Sequence, residues 1–225
     1  MNVAIVVAGG KGVRFGGDRP KQFLELSGIP VIVHTLRQFE RCREVARVVV
    51  VLPAEETAGF PSLVEKFELK KVFQVVPGGA TRAQSVARGL ATIEDAEVVA
   101  VHDGVRPLVT PAEIDEVVKT AGASGAAILT APVGDTIKQI ENERIAGTVT
   151  RANLRRALTP QCFRLDILRR AYQDLDQLES SGVEVTDDSF LVERLGVEVF
   201  AIEGSPRNIK ITGAEDLLLA EAFLK

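Results

Sequence analysis

Short β-branched apolar runs alternate with stretches of helical periodicity along most of the chain. Val3–Ala8 carries no charge and reads as a buried strand. Residues 30–43 follow as a helix, opened by Pro30, with Val31, Val33, Leu36 and Phe39 among its apolar positions. Val48–Leu52 is a second strand, ending at Pro53; 61–69 is a short helix; Val72–Val76 is a third strand, stopped by Pro77-Gly78-Gly79. Thr81–Ile93 places Ala83, Val86, Ala87 and Leu90 at helical spacing, and Val98–Val101 is a fourth strand. Thr110-Pro111-Ala112-Glu113 is a capping box with proline at the first helical position, so a helix starts there and ends near Gly122. Ala126–Thr130 is a fifth strand.

Alternation of this kind predicts an α/β fold: a Rossmann-like, mostly parallel sheet with helices on both faces and right-handed crossovers. Ligands of such sheets bind outside the carboxyl ends of the strands, which directs attention to residues 8–22, 77–85 and 102–107. The alternation breaks at 133–158, where Asp135–Ile140 and Ile145–Thr150 read as two strands about the polar turn Glu141–Arg144. A lone hairpin is marginal in water. It is expected to protrude as an arm that packs on a second subunit, or else to fold back on its own domain. Helices are then expected at 164–178 and 187–195, strands at 197–202 and 209–211, and a second capping box, Thr212-Gly213-Ala214-Glu215, opens the terminal helix. The whole, 1–225, reads as a single domain with the 133–158 excursion within it.

Composition narrows the chemistry. The 225 residues are 46% hydrophobic and 26% charged, with a formal net charge of −4, which argues against a general nucleic-acid binder. Tryptophan is absent and aromatics are 5%, so base-stacking platforms are not expected. Cys42 and Cys162 form no C-x-x-C pair and read as reduced core thiols of a cytoplasmic protein. No apolar run is long enough to span a membrane, and the first residues enter a strand without a signal-peptide pattern.

The first strand breaks into Gly9, Gly10, Gly12, Gly16 and Gly17, interleaved with Lys11, Arg14, Arg19 and Lys21. A loop lined with backbone amides and carrying four cations suits a polyphosphate. Further cations stand at loop positions: Arg82, Arg106, Arg151 and Lys210. With only two histidines, no G-x-S-x-G elbow and no metal-type His/Cys cluster, hydrolytic chemistry has little to work with. Phosphoryl or nucleotidyl transfer needs what is present, because charge builds on phosphate oxygens in its transition state. A phosphate-monoester nucleophile is already anionic and needs no general base. His102, beside Asp103, is then either a catalytic group or a hydrogen-bonding support. A dinucleotide-binding oxidoreductase is the competing reading, but Phe15 stands where G-x-G-x-x-G needs its third glycine.

Several motifs, in order, carry a family resemblance. They are Ala8-Gly9-Gly10-Lys11-Gly12-Val13-Arg14-Phe15 with Pro20-Lys21-Gln22, Gly78-Gly79-Ala80-Thr81-Arg82-Ala83-Gln84-Ser85-Val86, and Val101-His102-Asp103-Gly104-Val105-Arg106-Pro107. Ala131–Lys138, Arg151, Leu158-Thr159-Pro160-Gln161, Thr186-Asp187-Asp188 and Asn208–Thr212 extend the set over nearly the whole chain. Together they resemble the sugar-phosphate nucleotidyltransferases, and among them the 2-C-methyl-D-erythritol 4-phosphate cytidylyltransferase family. The resemblance implies CMP transfer from CTP to that polyol phosphate, with Mg²⁺ held mainly by the CTP phosphates and no protein metal ligands. A ribitol 5-phosphate cytidylyltransferase shares these loops and stays open as an alternative. Residue by residue, it implies that Arg14, Lys21 and Lys210 are catalytic. Ala8, Gly9, Gly10, Gly12, Gly79, Ser85 and Asp103 would bind CTP, and Arg106, Thr136, Arg151 and Thr186 the acceptor. It also implies a homodimer with interlocked arms, Thr136 and Arg151 reaching the partner's acceptor site. An acid often follows the second glycine of the Gly78-Gly79 motif; Ala80 stands here, so any base contact at that point falls to the backbone.

Overall fold

The computed structural model describes residues 1–10 and 20–224. Strand β1 (Asn2–Val7) comes first. A short 3₁₀ turn at Lys21–Phe23 and a small antiparallel pair, β2 (Glu25–Leu26) and β3 (Ile29–Pro30), then precede helix α1 (Val31–Arg41). The alternation continues through β4 (Val45–Leu52), α2 (Phe60–Lys66), β5 (Val72–Pro77), α3 (Arg82–Leu90), β6 (Val98–Asp103), α4 (Pro111–Ser124) and β7 (Ala126–Pro132). A hairpin of β8 (Ile137–Glu141) and β9 (Arg144–Val149) follows. After it come β10 (Arg155–Arg164), α5 (Leu165–Tyr172), α6 (Leu175–Ser180), α7 (Asp188–Glu193), β11 (Phe200–Glu203) and α8 (Ala214–Leu224).

Seven strands among the described residues form one sheet, in the order β11-β7-β10-β6-β1-β4-β5. All pairs are parallel except those of β10, which runs antiparallel to both β6 and β7. The expected α/β sheet is therefore present, with one reversed strand inside it. Its continuous apolar runs follow from burial on both faces. Val3, Ile5 and Val7 of β1 pack with Val86 and Leu90 of α3, while Ala4 and Val6 face Leu36 and Phe39 of α1 and Val117 of α4. A strand alternates its side chains between faces, so a strand covered on both must be apolar at every position.

Four departures from the sequence-based expectations have physical causes. Strand β10 is not foreseen by the sequence pattern, because Pro160 sits inside it and proline cannot donate to a ladder. The register shifts between Ala157 and Gln161, so the pairing skips Leu158–Pro160 and the missing N–H breaks no ladder bond. Residues 155–158, read as part of the arm, lie in this strand. The helix expected over 164–178 is two, α5 and α6. The strand expected at 209–211 does not form; Ile211 instead donates its N–H to the Val105 carbonyl at 2.9 Å. At α8 the helix starts two residues after Thr212, and Asp216, not Glu215, reaches back to the N–H groups of Thr212 and Gly213. The box at Thr110 forms as expected, with Glu113 N–H on the Thr110 hydroxyl and the Glu113 carboxylate on Thr110 N–H.

The hairpin forms a two-stranded sheet of its own. Asn142 and Glu143, both at positive φ, make its two-residue turn, the left-handed pair that matches strand twist. Ile137, Ile140 and Ile145 are exposed on it.

Gly89 shows how tightly α3 lies on the sheet. A Cβ there would meet Ile5 Cγ2 at 2.8 Å and Val51 Cγ2 at 3.1 Å, both in fully buried side chains. Alanine gains about 1 kcal/mol of helix propensity over glycine, against about 1–3 kcal/mol for overpacking a close-packed core. Gly89→Ala is expected to lower the urea midpoint; a raised midpoint would show that α3 can lift off the sheet without cost.

Candidate active site

The sheet order places a crossover switch between β1 and β6: from β1 the chain proceeds to β4 and β5 on one side, then returns to β6 on the other. Crevices at such points bind ligands. A cleft of about 250 Å³ opens there, lined by backbone of Ala8, Gly9 and Gly10, by Gly79, Ala80 and Ser85, and by Lys21, Arg82, Asp103 and Lys210. Nine of the residues singled out from sequence thus converge: Ala8, Gly9, Gly10, Lys21, Gly79, Arg82, Ser85, Asp103 and Lys210. Arg14 and Gly12 lie outside the described residues.

Two turns are held edge to edge. Ser85 is buried and donates to the Thr81 carbonyl at 2.9 Å while accepting from Gly79 N–H at 3.0 Å. A Cβ on Gly78 would sit 2.9 Å from Ser85 Oγ and 3.3 Å from Gly9 Cα, so glycine is what allows the β1 and β5 turns to touch. Gln22 is buried and donates to the Ala8 carbonyl at 2.7 Å, tying residues after the glycine-rich stretch to the end of β1. At the Ala80 position the N–H donates to Gln84 Oε1 at 3.0 Å. Glu179 of α6 then accepts from Gln84 Nε2 and from the Thr81 hydroxyl, each at 2.7 Å.

Asp103 is the electrostatic centre. Its Oδ1 accepts from Arg82 Nε at 2.9 Å, and its Oδ2 faces Lys210 Nζ at 3.0 Å and Arg106 Nε at 3.2 Å. Burial alone would raise its pKa, but Arg82, then Lys210 and Arg106, together hold the carboxyl well below the usual range. Arg106 also donates to the Asn208 carbonyl at 2.9 Å, which leaves it behind Asp103 rather than on the cleft wall.

His102 is buried and hydrogen-bonded at both ring nitrogens. Its Nε2 lies 3.2 Å from the Arg106 carbonyl, an acceptor, so that nitrogen carries the proton. Nδ1 then accepts from the Thr159 hydroxyl at 3.0 Å, and the same hydroxyl oxygen accepts from Asp103 N–H at 3.1 Å. Burial lowers the His102 pKa to about 4, so the ring is neutral at physiological pH. Asn208 completes this wall by donating to the Thr159 carbonyl at 2.9 Å.

The three residues expected to bind the acceptor from farther along the chain lie apart from this cleft. Thr136 and Thr186 are exposed, and Arg151, also exposed, donates to the Gly134 carbonyl at the base of the hairpin. Gln22, Thr159, Asp188 and Asn208 belong to the site without having been singled out from sequence, although each stands inside one of the motifs quoted above. Tyr172 and Glu179 carry no such signal.

Stability should depend on pH through His102. It is neutral in the fold, but its unfolded counterpart protonates below about 6.5, so between pH 6.5 and 4 the unfolded chain binds more protons. Stability therefore falls as pH drops across this window, by on the order of 3 kcal/mol for a shift of this size. His34, whose pKa burial also lowers, acts in the same direction. Urea unfolding from pH 7 to 4.5 should show a slope shallower by about one proton in His102→Gln; an unchanged slope would remove His102 as its source.

Known proteins resemble this chain in both sequence and overall fold. The model of the 2-C-methyl-D-erythritol 4-phosphate cytidylyltransferase (IspD) family matches residues 2–225. A 2-C-methyl-D-erythritol 4-phosphate cytidylyltransferase from Bacillus cytotoxicus is 43% identical over 224 residues, covering 100% of this chain and 98% of its own. One from Bacillus velezensis is 43% identical, covering 99% and 95%. Among solved structures, the enzyme of that name from Thermus thermophilus aligns with a TM-score of 0.79 at 35% identity, covering 100% of this chain and 99% of its own. The 4-diphosphocytidyl-2C-methyl-D-erythritol synthase of Anaerococcus prevotii aligns at 0.86 and 28%, covering 100% and 96%. With its switch-point cleft, its Asp103 cluster and a match over its whole length, the chain belongs to the 2-C-methyl-D-erythritol 4-phosphate cytidylyltransferase family.

Proposed function

We propose that this chain is a nucleotidyltransferase that moves CMP from CTP to 2-C-methyl-D-erythritol 4-phosphate, releasing pyrophosphate, in the non-mevalonate route to isoprenoid precursors. The observation that carries the reading is the family match along the whole chain, joined to a cleft lined by Lys21, Arg82 and Lys210, with Asp103 its single carboxylate among the described residues. In the reaction an oxygen of the acceptor's phosphate attacks the α-phosphorus of CTP. The bond to the α–β bridging oxygen breaks, and pyrophosphate leaves with its electrons. A phosphate monoester has its second pKa near 6, so at neutral pH most of the nucleophile is already the dianion. It therefore needs no base, and a neutral, buried His102 is consistent with that.

Lys21 and Lys210, with Arg14, would stabilise the charge that gathers on the α-phosphate and the leaving group. Ala8, Gly9, Gly10, Gly12, Gly79 and Ser85 would receive the nucleoside through backbone and hydroxyl groups, with Asp103 fixing the cations beside it. Mg²⁺ would enter as part of the substrate. No group of three or more His, Cys, Asp or Glu is gathered for a metal among the described residues, and the triphosphate oxygens supply the hard ligands the ion prefers. Arg106, Thr136, Arg151 and Thr186 would serve the acceptor. Because Thr136 and Arg151 stand on or beside the hairpin, that assignment asks for a homodimer in which the arm built from β8 and β9 reaches a second copy. The exposed Ile137, Ile140 and Ile145 give such an arm something to bury.

Purified protein given CTP, Mg²⁺ and either methylerythritol phosphate or ribitol 5-phosphate should release pyrophosphate with the former. Release only with ribitol 5-phosphate would transfer the reading to that acceptor, and release with neither would sink it. Lys21→Ala should lower kcat by about 100-fold, the scale of one lost transition-state charge; near-normal turnover would remove Lys21 from the mechanism. Arg151→Ala should raise KM for the acceptor far more than for CTP, whereas lower stability with unchanged kinetics would make the arm purely structural.

A further inference from the structure

Arg82 is a cleft cation bound to two carboxylates of the protein itself. Nε donates to Asp103 Oδ1 at 2.9 Å and Nη2 to Asp188 Oδ2 at 2.8 Å, so two carboxylates share one guanidinium. Asp188 is completely buried at the first turn of α7. Its N–H and that of Ser189 both donate to Gln161 Oε1, each at 2.9 Å, which fixes the carboxylate from behind. Its second oxygen, Oδ1, accepts from the hydroxyl of Tyr172, a buried side chain at the end of α5. Burial, then the neighbouring Asp188, raises the tyrosine pKa well above its usual value, so this hydroxyl remains a donor.

A continuous line of polar contacts thus runs from Tyr172 to Asp188, Arg82, Asp103 and Lys210. Neither Tyr172 nor Asp188 lines the cleft. One acid would suffice to neutralise Arg82. The second gives its planar fork two fixed anchors, and so sets which oxygen of Asp103 it occupies. With Oδ1 taken by Arg82, Oδ2 is left to face Lys210 and Arg106.

We propose that Tyr172 and Asp188 are positioning residues that aim Lys210 into the cleft, acting through Arg82 and Asp103; the proposal rests on the reading of that cleft as the CTP site. Without the tyrosine hydroxyl, Asp188 Oδ1 is a buried acceptor short of a donor, a costly state. Arg82 is the charged donor already in contact with that carboxylate. It turns toward Asp188, releases Asp103 Oδ1, and frees the Asp103 carboxylate to rotate with Lys210 attached. A displacement of about 1 Å in a charge aimed at a reacting phosphate is enough to cost a large factor in rate.

Tyr172→Phe keeps the ring and removes only the hydroxyl. It should lower kcat about tenfold while KM for CTP and for methylerythritol phosphate stays within about twofold, and Asp188→Asn should lower kcat further. Because Tyr172 acts only through Asp188, the double variant should be no slower than Asp188→Asn alone, where independent structural roles would multiply. A crystal structure of Tyr172→Phe should show Arg82 Nε withdrawn from Asp103 Oδ1. Unchanged kcat with only a lower melting midpoint, multiplicative effects in the double variant, or an unmoved Arg82–Asp103 pair would each overturn the proposal. Should the wild-type protein release no pyrophosphate from CTP, the substrate reading fails by itself, and the position of Arg82 in Tyr172→Phe still decides whether the line of contacts exists.

Discussion

A carboxylate buried at the end of a β-strand must be compensated, or it must give up its charge. The effective penalty of burying an ion is several kcal/mol, and it is offset only by good geometry with opposite charges. Asp103 meets that requirement with Arg82, Arg106 and Lys210, drawn from the start of α3, the turn after β6 and the segment before α8. Much of the site's architecture answers to this one group. The cations are held at the mouth of the sheet because Asp103 holds them, and the C-terminal segment returns there through Ile211, hydrogen-bonded to Val105, and through Asn208, whose carbonyl accepts from Arg106. A cluster that satisfies a buried anion is, on its open side, a cationic wall facing the glycine turns.

The neighbouring histidine shows the opposite solution to burial. His102 is completely buried without a carboxylate hydrogen-bonded to its ring, and burial keeps it neutral while Thr159 and the Arg106 carbonyl occupy its two nitrogens. The first of these bonds links β6 to β10, and the second ties β6 to the turn that follows it. A site in which the described residues supply fixed cations and a neutral histidine suits chemistry in which the nucleophile arrives already charged and the enzyme's task is to stabilise charge in flight. The hairpin follows a different logic: it pairs only with itself among the described residues, and Ile137, Ile140 and Ile145 stay exposed on it.

Legibility varied along the chain for identifiable reasons. The parallel strands were plain because burial on both faces leaves unbroken β-branched runs. Strand β10 was hidden, since Pro160 speaks against a central strand and only the register shift opposite β7 makes room for it. The glycine turns and Lys21, Asp103, Arg106 and Lys210 stood out because loop cations and clustered glycines are rare as core features. Asp188 and Tyr172 did not. An acid at a helix start reads as a cap, and a tyrosine on an apolar helix face reads as packing; nothing local distinguishes either from its role as a partner of Arg82.

Sequence by itself therefore determined the class of fold, the positions of the phosphate-type loops and the chemistry their residue types allow, since all three depend on local periodicity and side-chain identity. Which charges meet was decided by tertiary structure alone. Arg82, Asp103, Asp188 and Lys210 are brought together by the crossover at β1 and β6 and by the reversed strand β10, and contacts across 21 residues (Arg82 to Asp103) or 106 (Arg82 to Asp188) leave no periodic trace in the chain.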